Sequence, residues 1–247
     1  MTTIHPLNLS NIHTSWQACL QQGLTRMDPQ YLAHLQQTTH WLPGHHNIFN
    51  AFSLPLDQVN YILIGESPYP RQQSANGYAF WDANVQALWS TTGLSKTVNR
   101  ATSLRNMIKM LLIAENLLDK NHLSQTDIAQ LDKQNLIQTN QQLFQRLLEH
   151  GFLLLNATLV LQQQADDTRR QDAEAWQPFI KEILHCLIET KQQVTFLLLG
   201  QIANKIDKLL PNNHKVKKLY AEHPYNLSFI QNKEILDFFR PMHLLVR

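Results

Sequence analysis

Three short, unbroken apolar runs constrain the fold of this chain more than any other feature of its sequence. They read YILIG (61–65), GFLLLN (151–156) and VTFLLLG (194–200). A strand covered on one face alternates apolar and polar residues, whereas strands buried on both faces read as continuous apolar runs. The runs therefore predict a parallel sheet. The residues KVKKLYAE (215–222) are a weaker fourth candidate, because their β-branched and aromatic side chains favour a strand.

Helical patterns lie between these runs and predict the layers that cover the sheet. One apolar stripe at helical spacing consists of Leu104, Met107, Ile108, Leu111 and Leu112. A second consists of Phe179, Ile183, Leu184 and Leu187. The polar segment 119–141 is a surface insertion or a solvated helix. No Pro-, Gly- or Ser-rich linker divides the 247 residues, so we expect one α/β domain with a central four-stranded, mostly parallel sheet flanked by helices.

Composition narrows the setting in which the protein works. The two cysteines, Cys19 and Cys186, are far apart and have no metal-ligand spacing, which argues for a reducing compartment and against a disulfide framework. The sequence contains no secretory leader pattern and no run of apolar residues long enough to cross a membrane. We therefore expect a cytoplasmic protein that does not contact a membrane.

The small net charge of +2 means that a polyanion would have to bind a local basic patch. One candidate patch is formed by lysines of the last third of the chain, and Arg169 and Arg170 are predicted on a separate loop. A solvated surface is the simpler interpretation of both groups. The lysines are Lys205, Lys208, Lys215, Lys217 and Lys218.

Polar or permissive residues follow directly after each predicted strand. They are GESPY (65–69), then Asn156, then Gly200 with Gln201, and then His223. Ligands of open α/β sheets bind beyond the carboxyl ends of the strands, so this succession predicts a pocket there. Taken singly, His223 would more often be a hydrogen-bonded turn histidine and Asn156 a helix cap.

Two other motifs are weak. The adjacent His45 and His46 have no cysteine or carboxylate at ligand spacing, so a turn or surface role is favoured over a metal site. The segment GESPYPRQQSANG (65–77) lacks the glycines and the lysine of a phosphate-binding loop. We expect no cofactor and no metal.

Several blocks in a fixed order resemble the family 1 uracil-DNA glycosylases. The block IFNAF (48–52) precedes VNYILIGESPYPRQQSANGYAF (59–80), which is similar to the water-activating loop and the uracil-stacking segment. SLRNM (103–107) resembles the serine loop that compresses the DNA backbone. The other blocks are GFLLLNATLVL (151–161), FLLLGQIANK (196–205) and HPYNLSF (223–229). The resemblance spans roughly residues 40 to 245, which implies a helical extension at 1–40 and a glycosylase-like unit at 41–247.

The resemblance implies a base-binding pocket. Phe80 is similar to the ring on which the flipped base stacks, and Asn156 to the amide that reads the polar edge of uracil. Tyr69 resembles the wall that rejects the 5-methyl group of thymine. His223 resembles the donor that stabilises negative charge on the departing base.

The resemblance also implies contacts with DNA. Leu227 is similar to the wedge that fills the space left by the flipped nucleotide. Ser103 and Ser228 resemble hydroxyls that hold phosphates, and Gly200 with Gln201 matches the Gly-Ser loop region. DNA is therefore the expected partner, and we expect the protein to act as a monomer.

The water-activating loop departs from the family pattern Gly-Gln-Asp-Pro-Tyr-His, because this chain reads GESPYP (65–70). Ser67 stands where the family has its catalytic aspartate, and a serine hydroxyl cannot accept a proton from water at neutral pH. Glu66 resembles the glutamate of the Gly-Glu-Ala-Pro loop in the iron–sulfur uracil glycosylases, although their cysteine ligands are absent here. Either Glu66 or a water held by Ser67 replaces the aspartate.

The sequence therefore predicts a DNA glycosylase that flips a pyrimidine and hydrolyses its N-glycosidic bond, leaving an abasic site. The substrate is uracil or a modified pyrimidine, for example one of phage DNA, in which case the protein would serve defence and not repair. The alternative is a catalytically inactive DNA-binding or scaffold protein that keeps the glycosylase fold.

Overall fold

The computed structural model describes residue 7 and residues 11–38, 40–162, 166–191, 193–211 and 215–247. Its centre is a parallel four-stranded sheet in the order β5-β2-β7-β8. Two short antiparallel pairs, β1 with β6 and β3 with β4, lie outside it. The four strands of the sheet are β2 (Tyr61–Gly65), β5 (Phe152–Asn156), β7 (Val194–Leu199) and β8 (Val216–Ala221). The short strands are β1 (Trp41–Leu42), β3 (Trp89–Ser90), β4 (Gly93–Leu94) and β6 (Leu161–Gln162).

Helices pack on both faces of the sheet, so the predicted α/β fold is confirmed. They are α1 (Gln17–Thr25), α2 (Pro29–Gln37), α3 (Lys96–Arg100), α4 (Thr102–Ala114), α5 (Gln125–Ala129), α6 (Asn140–Glu149), α7 (Asp166–Thr190), α8 (Ile202–Asp207) and α9 (Lys233–Phe239). Both predicted apolar stripes are buried, the first on α4 and the second on α7.

The strands β2, β5 and β7 are apolar along almost their whole length because successive side chains enter two different cores. Ile62 and Ile64 of β2 belong to the core that contains α1 and α7. Leu63 points the other way, into the core that contains α4 and α6. The three long runs and the weaker fourth candidate are all strands of this sheet, as predicted.

The segment 119–141 is mostly irregular and contains α5 and the start of α6. Ile128, Leu136 and Ile137 are fully buried. The segment is therefore an insertion held to the domain by a few apolar anchors, and not one long solvated helix.

The two cysteines overturn the expectation of unpaired thiols, because Cys19 of α1 and Cys186 of α7 form a disulfide. Their Cα atoms are 6.0 Å apart although 167 residues separate them in sequence. Sequence spacing failed here because the pairing depends on how α1 packs against α7. That packing is close: a Cβ on Gly23 of α1 would lie 2.8 Å from the Phe179 ring.

The helices of the predicted N-terminal extension share a core with the sheet. Trp16 and Leu20 are fully buried in it, together with Leu35 of α2. The division of the chain near residue 40 stays a prediction. Among the described residues, no helix is long and apolar enough to cross a membrane.

Candidate active site

The site begins where β2 and β5 end side by side. Gly65 is paired in register with Asn156. A Cβ on Gly65 would lie 2.6 Å from Oδ1 of Asn156, so the amide needs a glycine beside it. Asn156 is only 3% exposed, and no described group hydrogen-bonds its side chain. Because buried amides are normally paired, this one is available to a ligand. Asn156 ends a strand and does not cap a helix.

Two aromatic residues, Phe80 and Tyr69, are joined near the end of β2. A Cβ on Gly65 would lie 3.1 Å from the Cβ of Ala79, which directly precedes Phe80. The backbone N–H of Ala79 donates to Leu154 O of β5 at 3.0 Å, which fixes the segment that carries Phe80. Phe80 has a φ of +64°, an unfavourable conformation for a residue with a side chain. The Tyr69 hydroxyl donates to Phe80 O at 3.1 Å. Burial, followed by the charge of Asp82, raises the pKa of Tyr69, so its hydroxyl stays protonated.

His223 lies just after β8, and its ring contacts Phe80. Its ring stacks on Phe80 with centroids 5.8 Å apart and planes inclined by 30°. The backbone N–H of Tyr225 donates to His223 Nδ1 at 3.1 Å. Gly200 allows this close approach, since a Cβ there would lie 2.7 Å from the Cβ of His223. His223 is thus a hydrogen-bonded turn histidine whose ring also borders the site.

The protonation of His223 follows from these contacts. Burial lowers its pKa, and the negative charge of Glu66 partly opposes that effect. The imidazole is therefore neutral at neutral pH. Because Nδ1 accepts a hydrogen bond, the single ring proton resides on Nε2, which makes Nε2 a donor.

Glu66 and Ser67 have different surroundings. Glu66 is exposed and lines a cavity of about 380 Å³ together with Gly65, Gly200 and His223. Ser67 is half-buried and lines a smaller cavity of about 200 Å³, which Glu66 also borders. Of these two residues, Glu66 lines the cavity of His223 and Ser67 does not. The carboxylate is therefore better placed than the hydroxyl to act beside the imidazole.

The residues predicted to contact DNA lie on the surface around the site. Leu227 is 73% exposed, an unusual degree for a leucine. Ser228 is exposed, and Ser103 is half-buried in the first turn of α4. The pKa of Glu222 is lowered by its own backbone amide, by Asn232 and then by the Ser228 hydroxyl. Ser228 therefore lies near a carboxylate as well as solvent.

Sequence reasoning missed Asn106, which holds the His223 loop in place. Asn106 is fully buried on α4, and its Nδ2 donates to Pro224 O at 2.7 Å and to Tyr225 O at 3.3 Å. The signal was present, since Asn106 belongs to the SLRNM block. Tyr225 was also missed as a surface group: its ring is 66% exposed beside Leu227.

The predicted basic patch is divided by the fold. Lys218 pairs with Asp207 at 2.6 Å, and exposed Lys217 lies near the amino end of the sheet, opposite Thr195. Lys205 lies on α8, which begins directly after Gln201, and Lys208 directly follows the end of that helix. Lys215 directly precedes β8.

The two arginines were placed wrongly by sequence. Arg169 and Arg170 belong to the first turns of α7 and not to a loop, and both are exposed. The ring of His45 contacts the Trp41 ring, with centroids 4.6 Å apart. Among the described residues, no three histidine, cysteine or acidic side chains form a metal-binding group.

Comparison with known proteins agrees with this geometry. No protein-family model matches the chain. The uracil-DNA glycosylase of Campylobacter jejuni strain 81-176 is 30% identical over 200 residues, which cover 81% of this chain and 72% of that protein. The uracil-DNA glycosylase of Azobacteroides pseudotrichonymphae is 26% identical over 186 residues, covering 74% and 70%. The wild-type UNG crystal structure from Nitratifractor salsuginis superposes with a TM-score of 0.89 at 36% identity, covering 96% of this chain and 94% of that one.

The fold and these relatives first define the class of the protein: it is a hydrolase that acts on N-glycosyl bonds and has an α/β fold. More particularly, the chain belongs to the uracil-DNA glycosylase family.

Proposed function

We propose that the protein removes uracil from DNA by flipping the nucleotide into the pocket of Asn156, Phe80 and His223. The observation that carries this proposal is the convergence of these groups with Glu66 at the carboxyl edge of one sheet. A buried unpaired amide, an aromatic ring, a neutral imidazole donor and a carboxylate are the groups that base excision needs.

We assign recognition of the base to Asn156, Phe80 and Tyr69. The Asn156 amide offers a donor and an acceptor, which match O4 and N3–H of uracil. Phe80 supplies a stacking surface, and such a contact is worth about 1–3 kcal/mol per base. The Tyr69 hydroxyl donates a hydrogen bond to Phe80 O, which fixes the Tyr69 ring beside the bound base. We assign to it the exclusion of bulky groups at the 5-position.

The chemistry is a hydrolysis at C1′ of the deoxyribose. As the C1′–N1 bond breaks, its electron pair leaves with the base, and His223 Nε2–H donates to base oxygen O2. Water adds its oxygen to C1′ and gives its proton to the Glu66 carboxylate. That proton then passes to solvent or to the departing base. The products are the free base and an abasic site.

Glu66 is preferred to Ser67 as the activator because it shares the cavity with His223 and its charge acts on that ring. The changed loop leaves the substrate range open to a modified pyrimidine, including one of phage DNA. Leu227, Ser228 and Ser103 would hold the DNA while the base is out. The same proposal has the protein act as a cytoplasmic monomer without a metal.

The decisive experiment incubates purified protein with single-stranded and duplex oligonucleotides that carry uracil or a modified pyrimidine. Abasic sites are read by alkaline strand cleavage. We expect cleavage at uracil, and we expect His223→Ala to lower the rate by roughly 10²–10³, the usual cost of losing one donor to a developing oxyanion.

Each other result has a defined meaning. Cleavage at a modified pyrimidine but not at uracil would show that the modified base, and not uracil, is the substrate. DNA binding without cleavage of any substrate would contradict the proposal and support an inactive DNA-binding protein.

A further inference from the structure

A second cavity, of about 580 Å³, lies on the other side of Glu66 between α7 and α8. We call it the basic groove because of its four cations. It adjoins the cavity of His223, since Glu66 and Ile202 line both cavities. The cations are Arg169, Arg170, Lys205 and Lys208.

The charge of the basic groove favours an anion. The four cations face two carboxylates, Glu66 and Glu174, so the excess is two positive charges. Arg170 is paired with Glu174 at 3.0 Å, but both side chains are exposed. Lys205 and Lys208 are exposed as well, and neither forms an ion pair with any described residue. Exposed cations of this kind bind phosphates through charge and release of counterions.

The floor of the basic groove is apolar, which distinguishes it from a plain charged surface. Its side chains are those of Ala157, Ile180, Ile202, Ile206 and Leu209. An apolar floor with cations at the rim suits a nucleotide, whose sugar or base packs below while the phosphate meets the rim. The volume lies within the range of about 300–1,000 Å³ that is usual for ligand sites.

We propose that the basic groove binds the DNA strand on one side of the flipped nucleotide, through phosphates at Lys205 and Lys208. This inference rests on the proposed function, which places a flipped nucleotide beside Glu66. A strand that passes Glu66 must continue over an adjoining surface, and the basic groove opens there. The arginines of α7 and the lysines of α8 thereby become one site, although the sequence separates them.

The test measures binding of a labelled single strand that contains 2′-fluoro-2′-deoxyuridine, which resists hydrolysis, by fluorescence anisotropy at several salt concentrations. Each of Lys205→Gln and Lys208→Gln should reduce the slope of log K against log salt by about 0.7. At about 0.1 M salt that loss corresponds to roughly fivefold weaker binding for each variant. Lys217→Gln is the matched control, because Lys217 is an exposed lysine at the opposite end of the sheet.

Shortening the oligonucleotide tells which side of the strand is bound. The difference between the wild type and the Lys205→Gln/Lys208→Gln variant should vanish when the nucleotides on one side of the fluorinated residue are removed. An unchanged salt slope in the double variant, or a loss equal to that of Lys217→Gln, would overturn the proposal. A third result would also overturn the proposal. If thymidine monophosphate abolishes the difference in binding between the wild type and the double variant, and shortening the oligonucleotide has no effect, the groove binds a free nucleotide.

Failure of the proposed function would look different. If the wild type releases no base while Lys205→Gln still reduces the salt slope, the groove stands and the proposed glycosylase activity fails. Conversely, base release by the wild type together with an unchanged salt slope in both lysine variants would keep the glycosylase activity and overturn the groove.

Discussion

The two cavities that meet at Glu66 are built in opposite ways. The proposed catalytic cavity is lined mainly by residues that end or follow strands, and hydrogen bonds and glycine contacts fix its backbone. The rim of the basic groove consists of long, exposed cationic side chains at α7 and α8. Side chains on a fixed backbone suit bond cleavage, which needs accurate placement of the reacting groups. Flexible cations suit the binding of a DNA strand without sequence recognition. Changes in the first should therefore have large effects, and changes in the second should have graded effects.

The largest effect is expected at Glu66. Glu66→Gln keeps the shape of the side chain but removes the proton acceptor, so base release under single-turnover conditions should fall by about 10²–10⁴. Ser67→Ala is the matched change in the same loop and should alter the rate by less than about threefold, since Ser67 lies outside the cavity of His223. If the two variants lose activity in the reverse order, the water belongs to Ser67.

A smaller effect is expected at Asn106, which touches no substrate and acts by positioning the His223 loop. Asn106→Ala leaves two carbonyl oxygens without their donor and should cost about 1–3 kcal/mol of stability. Base release should fall further than the loss of folded protein explains, because His223 loses its position.

Gln138→Ala is the control for that prediction. Gln138 Nε2 also donates to two loop carbonyls, Lys133 O at 2.7 Å and Leu136 O at 2.8 Å, away from the site. Thermal unfolding and base release are measured for both variants. Equal losses of activity at equal losses of stability would show that Asn106 has only a structural role.

A graded effect is expected at Tyr225, whose exposed ring lies beside Leu227. Stacking on a base is worth about 1–3 kcal/mol, so Tyr225→Ala should weaken DNA binding correspondingly. Tyr220→Ala is the matched control, because Tyr220 is 49% exposed and its hydroxyl bonds Asp207. Anisotropy titrations with the same oligonucleotide compare the two. An equal loss in both variants would remove Tyr225 from the DNA surface.

The smallest effect is a change in the pKa of His223. The Glu66 carboxylate stabilises the protonated ring, so Glu66→Gln should lower that pKa further below the ordinary histidine value. NMR titration of the His223 ring protons in both proteins measures the shift. An unchanged or higher pKa in Glu66→Gln would mean that the carboxylate does not act on the imidazole.

The sheet could be predicted from sequence because its signal is local. Unbroken apolar runs such as FLLLN identify strands that are covered on both faces, and the residue that follows a strand is known once the strand is known. Gly65, Asn156 and His223 were found as strand-end residues for this reason. The tautomer and pKa of His223, and the contacts of all three residues, depend on other segments of the chain. Local patterns therefore could not predict them.

The sequence by itself determined the α/β class, the strands and the order of polar residues at their ends, since these follow from patterns within a few residues. Only the tertiary structure decided that Cys19 meets Cys186, that Asn106 holds the His223 loop, and that the arginines of α7 join the lysines of α8. These contacts depend on how distant helices pack, and no local spacing records that. Local sequence patterns thus encode the proposed catalytic edge of the sheet, and packing of distant helices forms the proposed DNA-binding groove.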